Sequence, residues 1–326
     1  MSRLTQPIEA TGDVTVFHRL GDAALSLRER RPSSPVRGAV LYIHGATVGS
    51  VFYDLPVPGY SMLTASADAG WWSFALDLSG YGRSQRPASM SAPPQSCPLL
   101  CTGEDALRDI GVAAAFVLRH TGQDHITLAG SSWGSLTTAR FAIQRPDIVR
   151  QLILMSPLFG ARNPFWQQAL ATAADPGRLR DDLGGYRWTS LSDILARWDP
   201  EIPQGDFERR RDPAVVRAMF DAEIAADPMA AAVGAFRSPN GTLHELFEVF
   251  NGRSLYRPES IQMPCLLVRG AHDLTATEAD AAQIHARLGT HDKTWVTIPD
   301  AGHFMQAERN APRLHSAVLQ FLRRGS

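Results

Sequence analysis

The five residues Gly130-Ser131-Ser132-Trp133-Gly134 limit the folds open to this chain more than any other segment. They follow an apolar run at 125–129 and precede a helix-like stretch at 136–144. A strand, a sharp glycine turn, a serine and then a helix form the context that a nucleophile elbow requires. The turn strains the serine backbone, and the flanking glycines remove the collisions that side chains would cause there. The pattern predicts that Ser132 stands at the carboxyl end of a strand, although an ordinary glycine turn before a helix would explain these five residues alone.

The composition is typical of a globular chain with one large domain, or with one domain and an insertion. The 326 residues carry a formal charge of −1, and 44% of them are hydrophobic. This near-neutral charge argues against partners held by bulk charge, so we expect neither nucleic acid nor a membrane surface as a partner. Lys293 is the only lysine among many arginines, which suggests a bacterial protein from a GC-rich genome.

The sequence also indicates a cytoplasmic location. Residues 1–16 lack the apolar core of a signal peptide, and no stretch approaches the roughly 20 apolar residues of a membrane span. Cys97, Cys101 and Cys265 are too few for a disulfide framework, although a bridge between the first two is an alternative. A reducing compartment is the simplest interpretation.

Strand-like and helix-like runs alternate along most of the chain, which predicts an α/β fold with a parallel sheet between helices. The run at 39–43 is continuously apolar, as in a buried parallel strand, and the mostly apolar runs at 72–76, 151–155 and 264–269 predict further strands of this kind. Segments 14–17 and 23–30 predict an antiparallel hairpin before them. Thr102-x-x-Asp105 predicts the start of one helix and Thr275-x-x-Glu278 that of another.

The alternation stops between 156 and 263, where the sequence is helical in character and rich in aromatic residues. We interpret residues 160–256 as a helical cap inserted into a core domain formed by 1–159 and 257–326. Most of the aromatic side chains are expected to form the cap's own core, and two to four of them to line a substrate pocket.

A serine hydroxyl needs a base within hydrogen-bond reach and a carboxylate that holds the base. Asp273 follows the strand-like run 265–269, and His303 follows the last strand-like run at 295–298. Ser132, Asp273 and His303 are therefore the predicted catalytic residues, each just after a strand. A helix-capping role is the alternative for Asp273, and a surface position is the alternative for His303. Asp300 is a rival carboxylate, but it has little freedom to face a ring three residues away.

A tetrahedral intermediate needs N–H donors for its oxyanion. The backbone N–H of Trp133, at the start of a helix, is the first predicted donor. The second is expected in the loop that follows the run 39–43, where we choose the N–H of Ala46 over that of Thr47. His44 is interpreted as a structural residue that holds this loop by hydrogen bonds.

These residues, with His44-Gly45 before the elbow and Asp77-x-x-Gly80-x-Gly82-x-Ser84 between, resemble the α/β-hydrolase superfamily. The resemblance covers nearly the whole chain outside 160–256. It implies a mostly parallel eight-stranded sheet with helices on both faces and a helical cap after the sixth strand. It also implies that Asp77 is structural. Serine at position 132 argues against the dehalogenase and epoxide-hydrolase branches, in which an aspartate occupies the elbow.

The substrate pocket is the least determined part of the site. Its predicted lining residues are Thr47, Phe52, Tyr53, Phe159 and Trp166, and the indole of Trp133 is expected to form a wall. A proline-stiffened surface loop is an equally good interpretation of the segment that contains Phe52 and Tyr53.

The combined prediction is a serine hydrolase that cleaves a carboxylic ester of a small or medium, apolar or aromatic substrate through an acyl-enzyme. No metal and no organic cofactor are expected, and the protein is expected to be a monomer or homodimer. A thioesterase or lactonase would use the same residues. A carbon–carbon bond hydrolase would also need a polar cap residue, for which Arg162, Arg187 and Arg237 are candidates. A non-catalytic binding protein is disfavoured because all three catalytic residues are present.

Overall fold

The computed structural model of the chain describes residues 15–22, 24–33 and 35–325. Residues 14 and 23 of the predicted hairpin, and residues 1–14 of the segment that lacks a signal-peptide core, lie outside this part. The strands are β1 (Val16–Leu20), β2 (Leu25–Arg30), β3 (Gly38–Ile43), β4 (Trp71–Asp77), β5 (Ile126–Ser131), β6 (Val149–Met155), β7 (Tyr186–Thr189), β8 (Phe236–Pro239), β9 (Cys265–Gly270) and β10 (Lys293–Ile298).

Eight of these strands form one mixed sheet, in the order β1-β2-β4-β3-β5-β6-β9-β10. The first two pairings, β1 with β2 and β2 with β4, are antiparallel, and all the others are parallel. The predicted hairpin and the predicted mostly parallel eight-stranded sheet are therefore confirmed. All carboxyl ends of β3, β5, β6, β9 and β10 meet at one edge, which is where ligands bind in open α/β sheets.

The central strands are buried on both faces, which explains their largely apolar sequences. Alternate residues of β3 enter two different apolar clusters, Leu41 on one face and Val40 and Tyr42 on the other. Each cluster must be covered by helices, because a sheet face with apolar side chains is not stable when it is exposed to water.

Helices cover both faces, as predicted. The α-helices are α1 (Met62–Asp68), α2 (Gly103–Thr121), α3 (Trp133–Gln144), α4 (Pro164–Leu170), α5 (Leu191–Trp198), α6 (Phe207–Arg210), α7 (Pro213–Ala226), α8 (Ala230–Val233), α9 (Gly241–Phe250), α10 (Glu278–Arg287) and α11 (Ala311–Leu322). Helices α2, α3 and α10 pack on one side of the sheet, and α1 and α11 pack on the other.

The two predicted helix starts have different outcomes. Thr102 and Asp105 form a reciprocal capping box at α2, as expected. The prediction for Thr275 is wrong, because α10 begins at Glu278 and its capping box joins Thr277 to Asp280. The N–H groups of Thr275 and Ala276 donate instead to a carboxylate oxygen of Asp273. The turn before α10 is therefore part of the Asp273 loop.

The chain leaves the sheet after β6 and returns at β9. The intervening segment contains α4 to α9, and also β7 and β8, which pair antiparallel as a small separate sheet. A wholly helical insertion was thus an incomplete prediction. Each of these strands has only four residues, so neither produces a run long enough to be recognised as a strand.

All three cysteines are buried free thiols, so Cys97 and Cys101 do not form the alternative bridge. Within the described ranges, none of the helices combines the length and apolar character that crossing a bilayer requires.

Candidate active site

The turn between β5 and α3 has the conformation that the glycine pattern predicts. Ser132 has φ 57° and ψ −124°, a left-handed backbone state that costs a non-glycine residue on the order of 1–3 kcal/mol. A Cβ at Gly130 would press against the carbonyl of Gly134, and one at Gly134 against the carbonyl of His44. Only glycine at both positions lets the strand, the turn and the neighbouring loop pack this closely. The serine is therefore held at the sheet edge by a strained turn.

The structure brings Ser132, His303 and Asp273 together from three separate loops. The Oγ of Ser132 lies 2.9 Å from Nε2 of His303, and Nδ1 of His303 lies 2.9 Å and 3.0 Å from the two Asp273 oxygens. Because a carboxylate only accepts, Nδ1 must carry a proton and donate to Asp273. Nε2 is then free to accept the proton of the serine hydroxyl, which is the arrangement that base-assisted attack requires.

Asp273 lies three residues beyond the end of β9 and is buried. Burial raises the pKa of its carboxyl, but His303 and the N–H groups of the following turn outweigh burial and hold the pKa below its ordinary value. Asp273 is therefore ionised at neutral pH. The rival Asp300 has an exposed side chain whose nearest charged partner is Arg210, at 3.6 Å, so it does not hold the histidine.

A further carboxylate beside these three residues was not predicted. Glu201 accepts the backbone N–H of His303 at 2.6 Å and that of Leu274 at 3.1 Å. Burial and the nearby charge of Asp273 raise the pKa of Glu201 to about 8. Glu201 comes from a short 3-10 turn, Asp199–Glu201, in the insertion. No local motif marks it, because its contacts form only when the insertion packs on the loops that carry Asp273 and His303.

The loop after β3 and the start of α3 each contribute one backbone N–H group near the serine. Gly45 lies against Ser132, since a Cβ there would be 3.1 Å from the serine Cβ. Within the described ranges the N–H groups of Ala46 and Trp133 have no protein acceptor, which leaves both free for an oxyanion. His44 donates from Nδ1 to the Gly45 carbonyl at 2.7 Å and accepts the Leu78 N–H at Nε2. These two bonds hold the loop, as the sequence interpretation of His44 expects.

Asp77 is the last residue of β4 and accepts the N–H groups of Ser50 and Arg83, at 2.6 Å and 3.0 Å. Within the described ranges no hydrogen bond joins it to Ser132, Asp273 or His303. These contacts are those of a structural residue, as the resemblance implies.

Two neighbouring spaces lie at this edge of the sheet. A small one of about 30 Å³ is bounded by Ser132, His303 and Phe52, and a larger one of about 330 Å³, bordered mostly by the insertion, shares lining residues with it. Thr47 borders both spaces, and Trp166 borders the larger one. Three aromatic side chains of the segment 160–256 border the larger space, namely Trp166, Trp188 and Phe250.

Tyr53, Phe159 and the Trp133 indole do not line either space, contrary to expectation. Tyr53 is fully buried, and its hydroxyl donates to the Ile43 carbonyl. The Phe159 ring packs on Tyr256, away from the opening. The Trp133 indole is buried and donates to Glu245 of α9. In each case the backbone position was near the site, but core packing turned the side chain away.

The cavity also contains two arginines from the insertion, Arg187 and Arg197. Of the three arginines proposed for a polar cap, Arg187 lies in the cavity, whereas Arg237 is buried in a paired contact with Asp227, and Arg162 does not border the cavity.

One cluster of potential metal ligands lies elsewhere among the described residues. His18, Glu29 and His120 place their ligand atoms within 4.8 Å of one another. They already bond to each other, and Trp72 donates to Glu29 at 2.6 Å. This cluster is built on β1, β2 and the end of α2, so it contributes nothing to the residues around Ser132.

Comparison with known proteins agrees with the fold. The model of the family described as the alpha/beta hydrolase fold matches residues 38–310. A haloalkane dehalogenase of Mycolicibacterium paratuberculosis is 25% identical over 311 residues, covering 91% of this chain and 90% of that protein. An esterase of Mycobacterium tuberculosis is 24% identical over 315 residues, covering 91% of this chain and 86% of that protein. The structure of a thermophilic esterase from Thermogutta terrifontis superimposes with a TM-score of 0.62 at 17% identity and covers 98% of each chain.

Proposed function

The chain belongs to the alpha/beta-hydrolase fold family, and from this premise we propose that it is a serine esterase that cleaves carboxylic esters through an acyl-enzyme. The observation that carries the proposal is the chain of hydrogen bonds from Ser132 through His303 to Asp273. Each bond is about 2.9 Å long, and the serine stands on a strained turn and borders the small cavity.

The first step forms a bond between Ser132 Oγ and the ester carbonyl carbon, while the hydroxyl proton passes to His303 Nε2. The imidazolium formed is stabilised by the ionised Asp273, whose two oxygens face its other nitrogen. As the bond to the leaving oxygen breaks, His303 returns the proton to the departing alcohol. Water then attacks the acyl-enzyme with His303 again acting as base, which releases the acid and restores Ser132.

The N–H groups of Ala46 and Trp133 hold the oxyanion that develops during both attacks. Each such donor contributes about 2.7–4 kcal/mol of barrier reduction in enzymes of this kind. Their role is supported by their lack of any protein acceptor within the described ranges and by the closeness of the Gly45 loop to Ser132.

The segment 160–256 acts as a cap in this proposal. It supplies Trp166, Trp188 and both cavity arginines, so substrate binds between the sheet edge and the cap. Closing such a site excludes water, which strengthens the electrostatic interactions inside it.

Serine at the elbow separates this proposal from the reaction named for the dehalogenase relative. An aspartate nucleophile is expected in that branch, whereas position 132 is a serine with its base at 2.9 Å. Serine attack suits an acyl carbon, so the esterase relatives are the better guide to the reaction.

The test is hydrolysis of short aryl esters by the wild-type chain and by Ser132→Ala. We expect the variant to lose at least about 10⁴-fold in kcat while its thermal unfolding midpoint stays close to that of the wild type. Ser316→Ala, an exposed serine on α11, is the matched control and should retain full activity. Full activity in Ser132→Ala would remove this serine as the nucleophile.

A further inference from the structure

The larger cavity beside Ser132 combines apolar walls with two positive charges. Asp193 also borders it, but its Oδ2 already accepts from the N–H and the hydroxyl of Ser190. Leu170, Trp188, Leu246 and Phe250 contribute apolar surface, and its volume of about 330 Å³ suits a small organic molecule. The small space at Ser132 and this cavity share Ala46, Thr47, Arg197 and Phe304, so a single substrate could extend through both. A purely apolar ligand would leave the two guanidinium groups uncompensated.

Arg197 has no carboxylate within ion-pair distance in the part of the chain that the structure describes. Its Nη1 donates to Thr47 Oγ1 at 3.1 Å, and its Nε is buried without an acceptor. Its guanidinium lies over the rings of Trp166 and Phe304, with its central carbon 5.1 Å and 5.4 Å from their centroids. These rings fix the planar group in the cavity wall. Burial also lowers the pKa of Arg197 to about 10, while Glu201 and Asp273 partly counteract this effect.

Arg187 lies beside it, and its hydrogen-bond partners among the described residues are also all neutral. Its Nη1 donates to Asn240 Oδ1 at 2.9 Å, and its Nη2 donates to the Ala46 carbonyl at 2.6 Å. Nη2 also reaches Thr47 Oγ1 at 3.2 Å, so both arginines meet at this one hydroxyl. Two like charges in a largely apolar cavity repel each other, and an anion placed between them would relieve that repulsion.

Thr47 adds a third donor for such an anion. Its oxygen accepts from both guanidinium groups, which occupies the two lone pairs of the hydroxyl. The hydroxyl hydrogen is therefore available to an acceptor in the cavity. Planar guanidinium groups and a hydroxyl match the two oxygens of a carboxylate.

Arg237, in the same insertion, differs from these two arginines because it has a carboxylate partner. It is buried and accompanied by Asp227, whose oxygens accept from its Nε at 2.9 Å and from its Nη2 at 2.5 Å. The structural Arg237 thus has a carboxylate in direct contact, whereas no carboxylate among the described residues forms an ion pair with Arg187 or Arg197.

We propose that the substrate carries a carboxylate, held by Arg197, Arg187 and Thr47, separated by a short apolar spacer from the ester carbonyl that Ser132 attacks. The inference rests on the proposed ester hydrolysis, because it describes the substrate of that same site. It narrows the substrate class from apolar esters to half-esters of dicarboxylic acids, or to esters whose alcohol bears a carboxylate.

The kinetic test uses two pairs of nearly isosteric esters. One pair is 4-carboxyphenyl butyrate and 4-carbamoylphenyl butyrate, and the other is monomethyl adipate and methyl 5-carbamoylpentanoate. We expect kcat/KM to favour the charged member of at least one pair by about 10- to 100-fold, the range typical of a hydrogen-bonded charge pair. Equal or lower rates for the carboxylates in both pairs would overturn the inference while leaving the esterase intact.

Substitutions of Arg197 test whether this side chain causes the preference for charged esters. In Arg197→Met the charged-to-neutral ratio should fall to near 1, whereas Arg197→Lys, which keeps the charge but not the planar fork, should retain part of it. Arg217→Met, on an exposed helical face of the insertion, should leave the ratio unchanged. An undiminished ratio in Arg197→Met would contradict the assignment, and thermal unfolding of each variant checks that it is folded.

A binding measurement separates this inference from the reaction. Calorimetric titration of the wild-type protein with 4-phenylbutyrate and with 4-phenylbutyramide needs no turnover. The carboxylate should bind at least tenfold more tightly than the amide, and Arg197→Met should remove the difference. Equal affinities in the wild-type protein would contradict the carboxylate site even if esters are cleaved. A clear difference would support it even if no tested ester is a substrate.

Discussion

The sheet side and the insertion side of the cavity differ in how their charged side chains are paired. On the sheet side, the carboxylate of Asp273 is met by the ring of His303 and by two backbone N–H groups. On the insertion side, Arg187 and Arg197 face the cavity with only neutral acceptors in the described part of the chain. The reacting groups are therefore arranged before substrate arrives, whereas the recognition groups stay open until a charged ligand enters.

The largest expected effect tests whether the sheet side is preorganised as described. Asp273→Asn should lower kcat by about 10⁴-fold, because an amide can donate to His303 Nδ1 and favour the wrong tautomer. The measurement is steady-state hydrolysis of a short aryl ester, with thermal unfolding as the check on folding. Asp300→Asn is the control and should be nearly as active as the wild type. A large loss of kcat in Asp300→Asn with little loss in Asp273→Asn would show that Asp300 is the carboxylate that holds His303.

This part of the site was predictable because its signals are local. Gly130 and Gly134 are required by the backbone of one turn, and Asp273 and His303 each follow a strand that can be recognised by its own apolar run. The parallel sheet then brings the three strand ends together without further information. The alternation of strands and helices predicts that sheet for the same reason.

The insertion side was less predictable because its contacts depend on how the insertion packs. Tyr53 and Phe159 are close in sequence to residues of the site, but their side chains pack into the core. Arg197, in the middle of the insertion, borders the cavity although no sequence motif marks it. Glu201 is the clearest case, since an Asp-Pro-Glu turn carries no sign that it will accept the backbone N–H of His303.

Glu201 belongs to the insertion but bonds to the loops on the sheet side. Its substitution is expected to have an intermediate effect on kcat. It is a positioning residue, because it acts on His303 and Leu274 through their backbone. Glu201→Gln replaces one accepting oxygen with a donor, so one of the two bonds is lost. We expect kcat to fall about 10- to 100-fold with little change in KM, which the same steady-state assay measures.

A matched control for this prediction is Glu259→Gln, an exposed carboxylate paired with Arg287. It should change neither constant. A rise in KM with an unchanged kcat in Glu201→Gln would show that Glu201 serves substrate binding and not the position of the histidine.

The smallest expected effect concerns how the insertion is anchored to the core. Glu223 of α7 accepts the Gly49 N–H at 2.7 Å, and burial together with Asp77 raises its pKa to about 7. A raised pKa means that the folded protein binds more protons than the unfolded chain between about pH 4.5 and 7. The stability present below this range is therefore lost as the pH rises through 7.

Glu223→Gln should remove part of this dependence. We expect the free energy of unfolding of the wild type to fall between pH 5 and pH 8, and the variant to lose less over that range, by about 1–3 kcal/mol. Urea unfolding at several pH values measures the difference, with Glu259→Gln again as control. If the free energy of unfolding depends on pH in the same way in the wild type and in Glu223→Gln, the Glu223 carboxyl does not contribute to the pH dependence of stability.

The central claim is that one hydroxyl is activated by one imidazole, and covalent labelling tests it most directly. After brief treatment with a fluorophosphonate, the intact protein should gain the mass of one probe, and peptide mapping should place it on Ser132. The adduct should be absent from Ser132→Ala and should form far more slowly on His303→Ala. A wild-type protein that stays unlabelled, or that carries the probe on another residue, would contradict the account.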